Sequence, residues 1–179
     1  HVFTFNGRTS NSTVIDAKGN NIIATIPLNG KPEFAVTDGK GKVYLNIEDK
    51  SEICVIDVVN RKVINTWSLA PGKEPSGLAI DNKNHRLYSV CENKLMTVID
   101  ADNGKIISQQ PIGERVDGVA FDPKTKLAFS SNGEGTLTVV QEVNDNKFKV
   151  FEKFAPQKGA RTIAVNYKTH HLFLPTAQY

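Results

Sequence analysis

At 179 residues, with 39% hydrophobic and 23% charged side chains, the chain can bury a sizeable core and has neither a disordered nor a membrane-embedded composition. Lys plus Arg number 22 against 19 for Asp plus Glu, a net charge of +3 spread along the chain. The basic blocks used in nucleic-acid or polybasic membrane binding are absent, and no apolar run approaches the ~18 residues of a membrane helix.

The chain opens on Val2-Phe3, and Val14-Ile15-Asp16 follows as a second β-like segment. Phe34-Ala35-Val36-Thr37 then predicts a short, largely buried strand, ended by the tight turn Asp38-Gly39-Lys40-Gly41-Lys42. Val43-Tyr44-Leu45-Asn46-Ile47 is the next strand, and the polar loop Glu48-Asp49-Lys50-Ser51 leads into Glu52-Ile53-Cys54-Val55-Ile56-Asp57. Asn60-Arg61-Lys62 turns the chain into Val63-Ile64-Asn65-Thr66-Trp67, and Pro71-Gly72 closes the unit. The same order returns as Leu78-Ala79-Ile80-Asp81, Tyr88 and Val98-Ile99-Asp100, then as Val119-Ala120-Phe121-Asp122, Phe129 and Val139-Val140-Gln141. Ile163-Ala164-Val165-Asn166 and Phe173 begin it once more. No segment shows a helical period.

The aromatic landmarks Phe3, Tyr44, Tyr88, Phe129 and Phe173 are spaced by 41, 44, 41 and 44 residues. A β-rich repeat of about 43 residues is the size of one propeller blade. The expected fold is all-β: a β-propeller of four-stranded antiparallel blades, with about four blades present of a probable seven. The chain reads as one propeller segment over 1–179, in units of approximately 1–30, 31–72, 73–114, 115–157 and a partial 158–179. The units supply four first strands, five second, four third and four fourth, so a ring closed end to end leaves one second strand over. A seven-bladed parent would place roughly 130 further residues outside this chain. Those missing blades, or a second copy of the chain, are expected to close the ring.

The aromatic-x-x-Asn and Val-Ile-Asp motifs, with the linker Ile26-Pro27-Leu28-Asn29-Gly30-Lys31-Pro32, resemble the YVTN-repeat propellers of the YncE family. Phe3-Thr4-Phe5-Asn6-Gly7-Arg8, Glu74-Pro75-Ser76-Gly77-Leu78-Ala79 and Ser131-Asn132-Gly133-Glu134-Gly135-Thr136 carry the same likeness. The resemblance implies seven blades, an extracytoplasmic (periplasmic or secreted) location and a binding or unassigned role.

In such a meander the fourth-to-first and second-to-third loops share one face, where function is expected. They bring Lys31, Glu33, Lys73, Glu74, Glu114, Arg115, Asp117, Lys158 and Arg161 together with Asn6, Arg8, Glu48, Glu92 and Asn132. Glu33, Asp117 and Arg161 sit at equivalent places near the axis yet differ in type, so they are the leading ligand-facing residues, with Asn6, Arg8, Glu48 and Asn132 around them. Mutually compensating charges at a solvated channel mouth are the alternative. His85, His170 and His171 fall in turns on the opposite face, so no metal set and no cofactor is expected. Gly133-Glu134-Gly135 reads as a turn, Asn11-Ser12-Thr13 as a sequon in a loop, and Cys54 and Cys91 as two free thiols.

These residues favour a non-catalytic binding module for a small ligand, a glycan or a protein. A lactonase-like hydrolase, with Arg161 polarising the substrate and Glu33 or Asp117 as base, is the alternative. Nucleic-acid binding ranks third, because it needs a basic groove interleaved with exposed aromatics.

Overall fold

A computed structural model describes residues 1–144 and 146–176. Blade 1 contains β1 (Val2–Asn6), β2 (Asn11–Asp16) and β3 (Asn21–Pro27). Blade 2 contains β4 (Pro32–Thr37), β5 (Lys42–Ile47), β6 (Glu52–Asp57) and β7 (Lys62–Ser68). Blade 3 contains β8 (Pro75–Asp81), β9 (Arg86–Cys91), β10 (Leu95–Asp100) and β11 (Ile106–Pro111). Blade 4 contains β12 (Val116–Asp122), β13 (Leu127–Asn132), β14 (Thr136–Asn144) and β15 (Lys147–Phe154). Finally, β16 (Ala164–Val165) and β17 (Leu172–Phe173) pair as a two-stranded sheet. All pairing is antiparallel between strands consecutive in the chain, and the strand count of each kind matches the sequence reading.

The aromatic landmarks take one place in the register. Phe3 lies opposite Val14, Tyr44 opposite Val55, Tyr88 opposite Val98 and Phe129 opposite Val139. Side chains alternate across each sheet, so a blade between two neighbours must be apolar on both faces. Val43, Leu45, Ile47, Cys54 and Ile56 join Val14 and Ile26 in a core between blades 1 and 2. Tyr44, Ile53, Val55 and Leu69 turn the other way, onto Leu78, Leu87, Cys91 and Ile99 of blade 3. Tyr88, Val90, Met96 and Val98 meet Val116, Val119, Phe121 and Val140 of blade 4, and Phe129, Leu137 and Val139 face Ile163 and Leu172. Each interface thus has its own core, and fully burying one of its large side chains is worth about 1.5–3 kcal/mol.

First strands of neighbouring blades run side by side. A Cβ on Gly77 would stand 2.8 Å from the Asp117 carbonyl oxygen, a backbone atom that cannot swing away, so glycine permits this approach of β8 to β12. Two expectations need correcting. Strand β4 is not largely buried: Phe34 is 48% exposed, because β4 has a first-strand neighbour on one side only, while β8 lies between β4 and β12. Asn11-Ser12-Thr13 is not a loop; it begins β2, with Asn11 opposite Asn6 and Ser12 fully buried. No helix among the described residues is long and apolar enough to cross a membrane.

Candidate functional site

The interblade loops and the second-to-third turns meet on one face. Backbone hydrogen bonds tie them there: Glu48 N–H donates to the Lys31 carbonyl at 2.9 Å, Glu92 N–H to Lys73 at 3.0 Å and Gly133 N–H to Arg115 at 2.8 Å. The charged side chains around this mouth are therefore positioned by rigid blades.

Two of the expected ring residues share a recess. Glu33, Ser76 and Asp117, each at or near the start of a first strand, line a narrow cavity of about 140 Å³ with Phe34 and Ile163. The Ser76 hydroxyl donates to the Asp117 carbonyl at 3.1 Å, and Arg161 Nη2 lies 3.1 Å from Asp117 Oδ1. The Ser131 hydroxyl donates to the Gly118 carbonyl at 3.2 Å and also reaches that of Arg161, which fastens the final loop to blade 4. Arg161 also joins Glu92, Arg115 and Lys158 around a second depression of about 430 Å³.

The carboxylates at the mouth are not independent. Lys31 Nζ lies 3.6 Å from Glu33 Oε2 and also contacts Glu48. Burial raises the Glu33 carboxyl above its ordinary range; Lys31 pulls it down, and a hydrogen bond with Glu48 pushes it up again. Burial is also the main reason Glu92 titrates high. Arg161 opposes that rise, while Glu74, Asp117 and Glu48 add to it. Glu92 therefore senses charges delivered by several blades, which residue spacing alone did not show.

Two candidates have structural work within their own blades. Asn132 is fully buried; its amide donates to Thr136 Oγ1 at 3.0 Å and Thr138 Oγ1 at 3.1 Å, and its carbonyl accepts from Ser130. Asn6 likewise donates to Asn11 Oδ1 at 2.8 Å and Thr13 Oγ1 at 3.0 Å. Both shape a turn, because a tight connection between strands leaves hydroxyls and carbonyls that an amide can satisfy. Arg8 stands exposed in the β1–β2 turn.

On the opposite face His85 Nδ1 lies 2.9 Å from Asp102 Oδ2, and His170 Nδ1 lies 2.7 Å from Asp122 Oδ2 across blades. No group of three or more His, Cys, Asp or Glu among the described residues has metal-ligating geometry. Cys54 and Cys91 are buried and unlinked, and burial pushes their thiols up to about 12 and about 11. Sequence reasoning missed a nearly buried pair between blades 3 and 4, Arg86 Nε to Glu142 Oε1 at 3.4 Å. The available signal was a glutamate at a strand position where the preceding unit has Ala101.

Successive antiparallel blades, side by side at their first strands with a charged loop face at one end, define a partial β-propeller. No family model matches the chain. Its sequence is YncE-like: it is 33% identical to the uncharacterised protein YncE of Escherichia coli O157:H7 over 161 residues, covering 78% of this chain and 44% of that protein. YncE of Escherichia coli strain K12 is 28% identical with the same coverage, so the chain spans less than half the length of these curated relatives. Among solved structures, Kuenenia stuttgartiensis hydrazine synthase superposes with a TM-score of 0.75 at 18% identity, over 91% of this chain and 48% of that one. A functionally unknown protein from Desulfotomaculum acetoxidans superposes at 0.67 with 11% identity, over 93% of this chain and 69% of the other. At these identities the two structures share the fold.

Proposed function

We propose that the chain is part of a non-catalytic binding propeller whose charged mouth engages a small polar ligand, a glycan or a protein surface. One observation carries the reading: Glu92, raised by burial, lies within electrostatic reach of Arg161, Glu74, Asp117 and Glu48, groups contributed by separate loops. A rigid scaffold that aims unlike charges at one recess suits recognition of a partner with polar groups of both kinds. Charges of both signs alternate round the mouth, with Lys31 between Glu33 and Glu48 and Arg161 against Asp117. Such a mixture offers no basic groove to a phosphate backbone, which keeps nucleic acid in last place.

Lactone hydrolysis stays second. Its polarising Arg161 is already paired with Asp117, and Glu33 shares Lys31 with Glu48, so base and electrophile are each engaged elsewhere. Likeness to YncE supports an extracytoplasmic location, with further blades or a second copy closing the ring.

The test is a thermal-shift screen of sugars, amino acids and organic acids, followed by calorimetry on any hit. Binding should weaken by about tenfold in Arg161→Ala and in Glu92→Gln, and stay unchanged in Lys83→Ala on the far face. Hits indifferent to both mouth variants, or turnover of a simple lactone lost in Arg161→Ala, would remove this reading.

A further inference from the structure

Successive blades follow one plan, so the residues that break it can be found by register. Pro32 lies opposite Ile47, Pro75 opposite Cys91 and Val116 opposite Asn132. The residues just outside these pairs are therefore equivalent: Lys31, Glu74 and Arg115 before the first strands, and Glu48, Glu92 and Gly133 after the second. In each blade the N–H of the latter donates to the carbonyl of the former, at 2.9, 3.3 and 2.8 Å, and Glu92 shares its N–H with Lys73.

Blades 2 and 3 thus place a glutamate on this turn, and in blade 2 it closes an ion pair with Lys31. Blade 4 keeps the cation, as Arg115, but has no side chain at the turn. A side chain there would start between two arginines, since a Cβ on Gly133 would stand 3.0 Å from the Arg115 carbonyl oxygen and 3.2 Å from Arg161 Cγ. The place is taken by the depression of about 430 Å³ that Arg115, Lys158, Arg161 and Glu92 surround. Among the described residues neither Arg115 nor Lys158 forms an ion pair, and Arg161 is paired with Asp117. The flanking acids are engaged elsewhere: Glu114 holds Lys94, and Glu134 accepts the Thr136 hydroxyl at 2.7 Å.

We propose that this depression binds a small hydroxycarboxylate of monosaccharide size, such as a hexuronate, whose carboxylate takes the place of the glutamate absent at Gly133. The cations around it outnumber Glu92, so a net anion is favoured. The volume falls in the range of small-molecule sites, roughly 300–1,000 Å³. Arg115 and Lys158 offer the ligand carboxylate charged donors, which make the stronger kind of hydrogen bond. Glu92, when ionised, can only accept, so it favours a ligand hydroxyl and repels a second carboxylate. This inference rests on the binding role proposed for the mouth and gives it a ligand class.

The experiment titrates the protein with glucuronate, with glucuronamide, which keeps the hydroxyls without the charge, and with butyrate, which keeps the charge without the hydroxyls. Calorimetry gives the affinities and amide chemical shifts give the place. Glucuronate should bind saturably, about tenfold or more tighter than either control, with shifts centred on Glu92, Arg115, Gly133 and Arg161. Gly133→Glu, which restores the residue of blades 2 and 3, should abolish binding, and Arg115→Gln should weaken it by about fivefold. Equal affinity for glucuronamide or butyrate, shifts centred elsewhere, or no saturation at millimolar glucuronate would overturn the proposal. So would undiminished binding in Gly133→Glu; if that variant does not fold, undiminished binding in Arg115→Gln decides against the site. A neutral sugar or an amino acid that binds and is lost in Arg161→Ala, with glucuronate inert, overturns this inference alone. A mouth that binds nothing overturns the binding role with it.

Discussion

Tyr44 and Tyr88 hold equivalent positions and are 2% and 1% exposed, yet their hydroxyls differ. The Tyr44 hydroxyl donates to the carbonyl of buried Ala101, whereas the Tyr88 hydroxyl is buried without a hydrogen-bond partner. Tyr44→Phe removes a hydrogen bond worth about 0.5–1.5 kcal/mol net and leaves a buried carbonyl short of its donor, so it should cost about 1–3 kcal/mol. Tyr88→Phe removes a hydroxyl that lost water on folding and gained no bond. That variant should be neutral or up to about 1 kcal/mol more stable. In a domain of this size 1 kcal/mol moves Tm by about 2–4 °C, so the pair should separate by several degrees, with Tyr44→Phe the lower. Urea unfolding followed by circular dichroism, with calorimetry alongside, measures both variants. A Tyr88→Phe loss equal to that of Tyr44→Phe would refute the reasoning, since the hydroxyl would then be bonded in solution, for instance through water to Glu142.

The Arg86 and Glu142 side chains are 13% and 4% exposed, and removing one partner strands the other. Glu142→Ala should therefore cost about 3–5 kcal/mol, while Arg86→Met with Glu142→Leu should cost far less than the sum of the single changes, as read from a double-mutant cycle. At Asp122 burial acts to raise the carboxyl, but hydrogen bonds from the Lys124 N–H, the Thr125 hydroxyl and His170 outweigh it and leave the group below its ordinary 3.8. A carboxyl depressed by folding stabilises the fold above its unfolded pKa, and that contribution is lost as pH falls through the lower folded value. Protection factors for hydrogen exchange in the segment 164–173, corrected for the intrinsic pH dependence, should accordingly fall on acidification below about pH 4, and Asp122→Asn should remove that dependence.

The blades were legible because each must bury both faces, which forces the same alternation and the same aromatic at one register position in every unit. The shared loop face followed from the meander itself, and with it the grouping of Glu33, Asp117 and Arg161. Which charges meet did not follow. Arg161 and Asp117 are 44 residues apart, and their pairing depends on side-chain reach across two blades. Asn6 and Asn132 looked like ligand contacts because polar residues in loops often are; the structure shows in addition that their amides bond hydroxyl and amide groups of their own turns. The buried Arg86–Glu142 pair was hidden for a related reason, since its partners lie in different repeats and the break at Glu142 does not by itself name Arg86.

Residues that recur are explained by packing; the informative ones are those where recurrence breaks and something responds. Glu142 in place of a small residue is answered by Arg86 in the same interface. Ile80 and Ala101, which stand in blade 3 where blade 4 has Phe121 and Glu142, are answered further out. Phe148 precedes Lys149, which lies opposite Gln141, and the equivalent residue in blade 3 is Gly104, before Lys105. Gly104 has φ of +77°, and any Cβ there would run into the Trp67 indole. Glycine thus clears a seat for Trp67, which packs into the blade 2–3 core and lies tilted against Tyr44. Tyr44, 2% exposed, is covered in part by a tryptophan from its own blade. Here a tryptophan and a glycine together restore the apolar contact that the phenylalanines give the next interface.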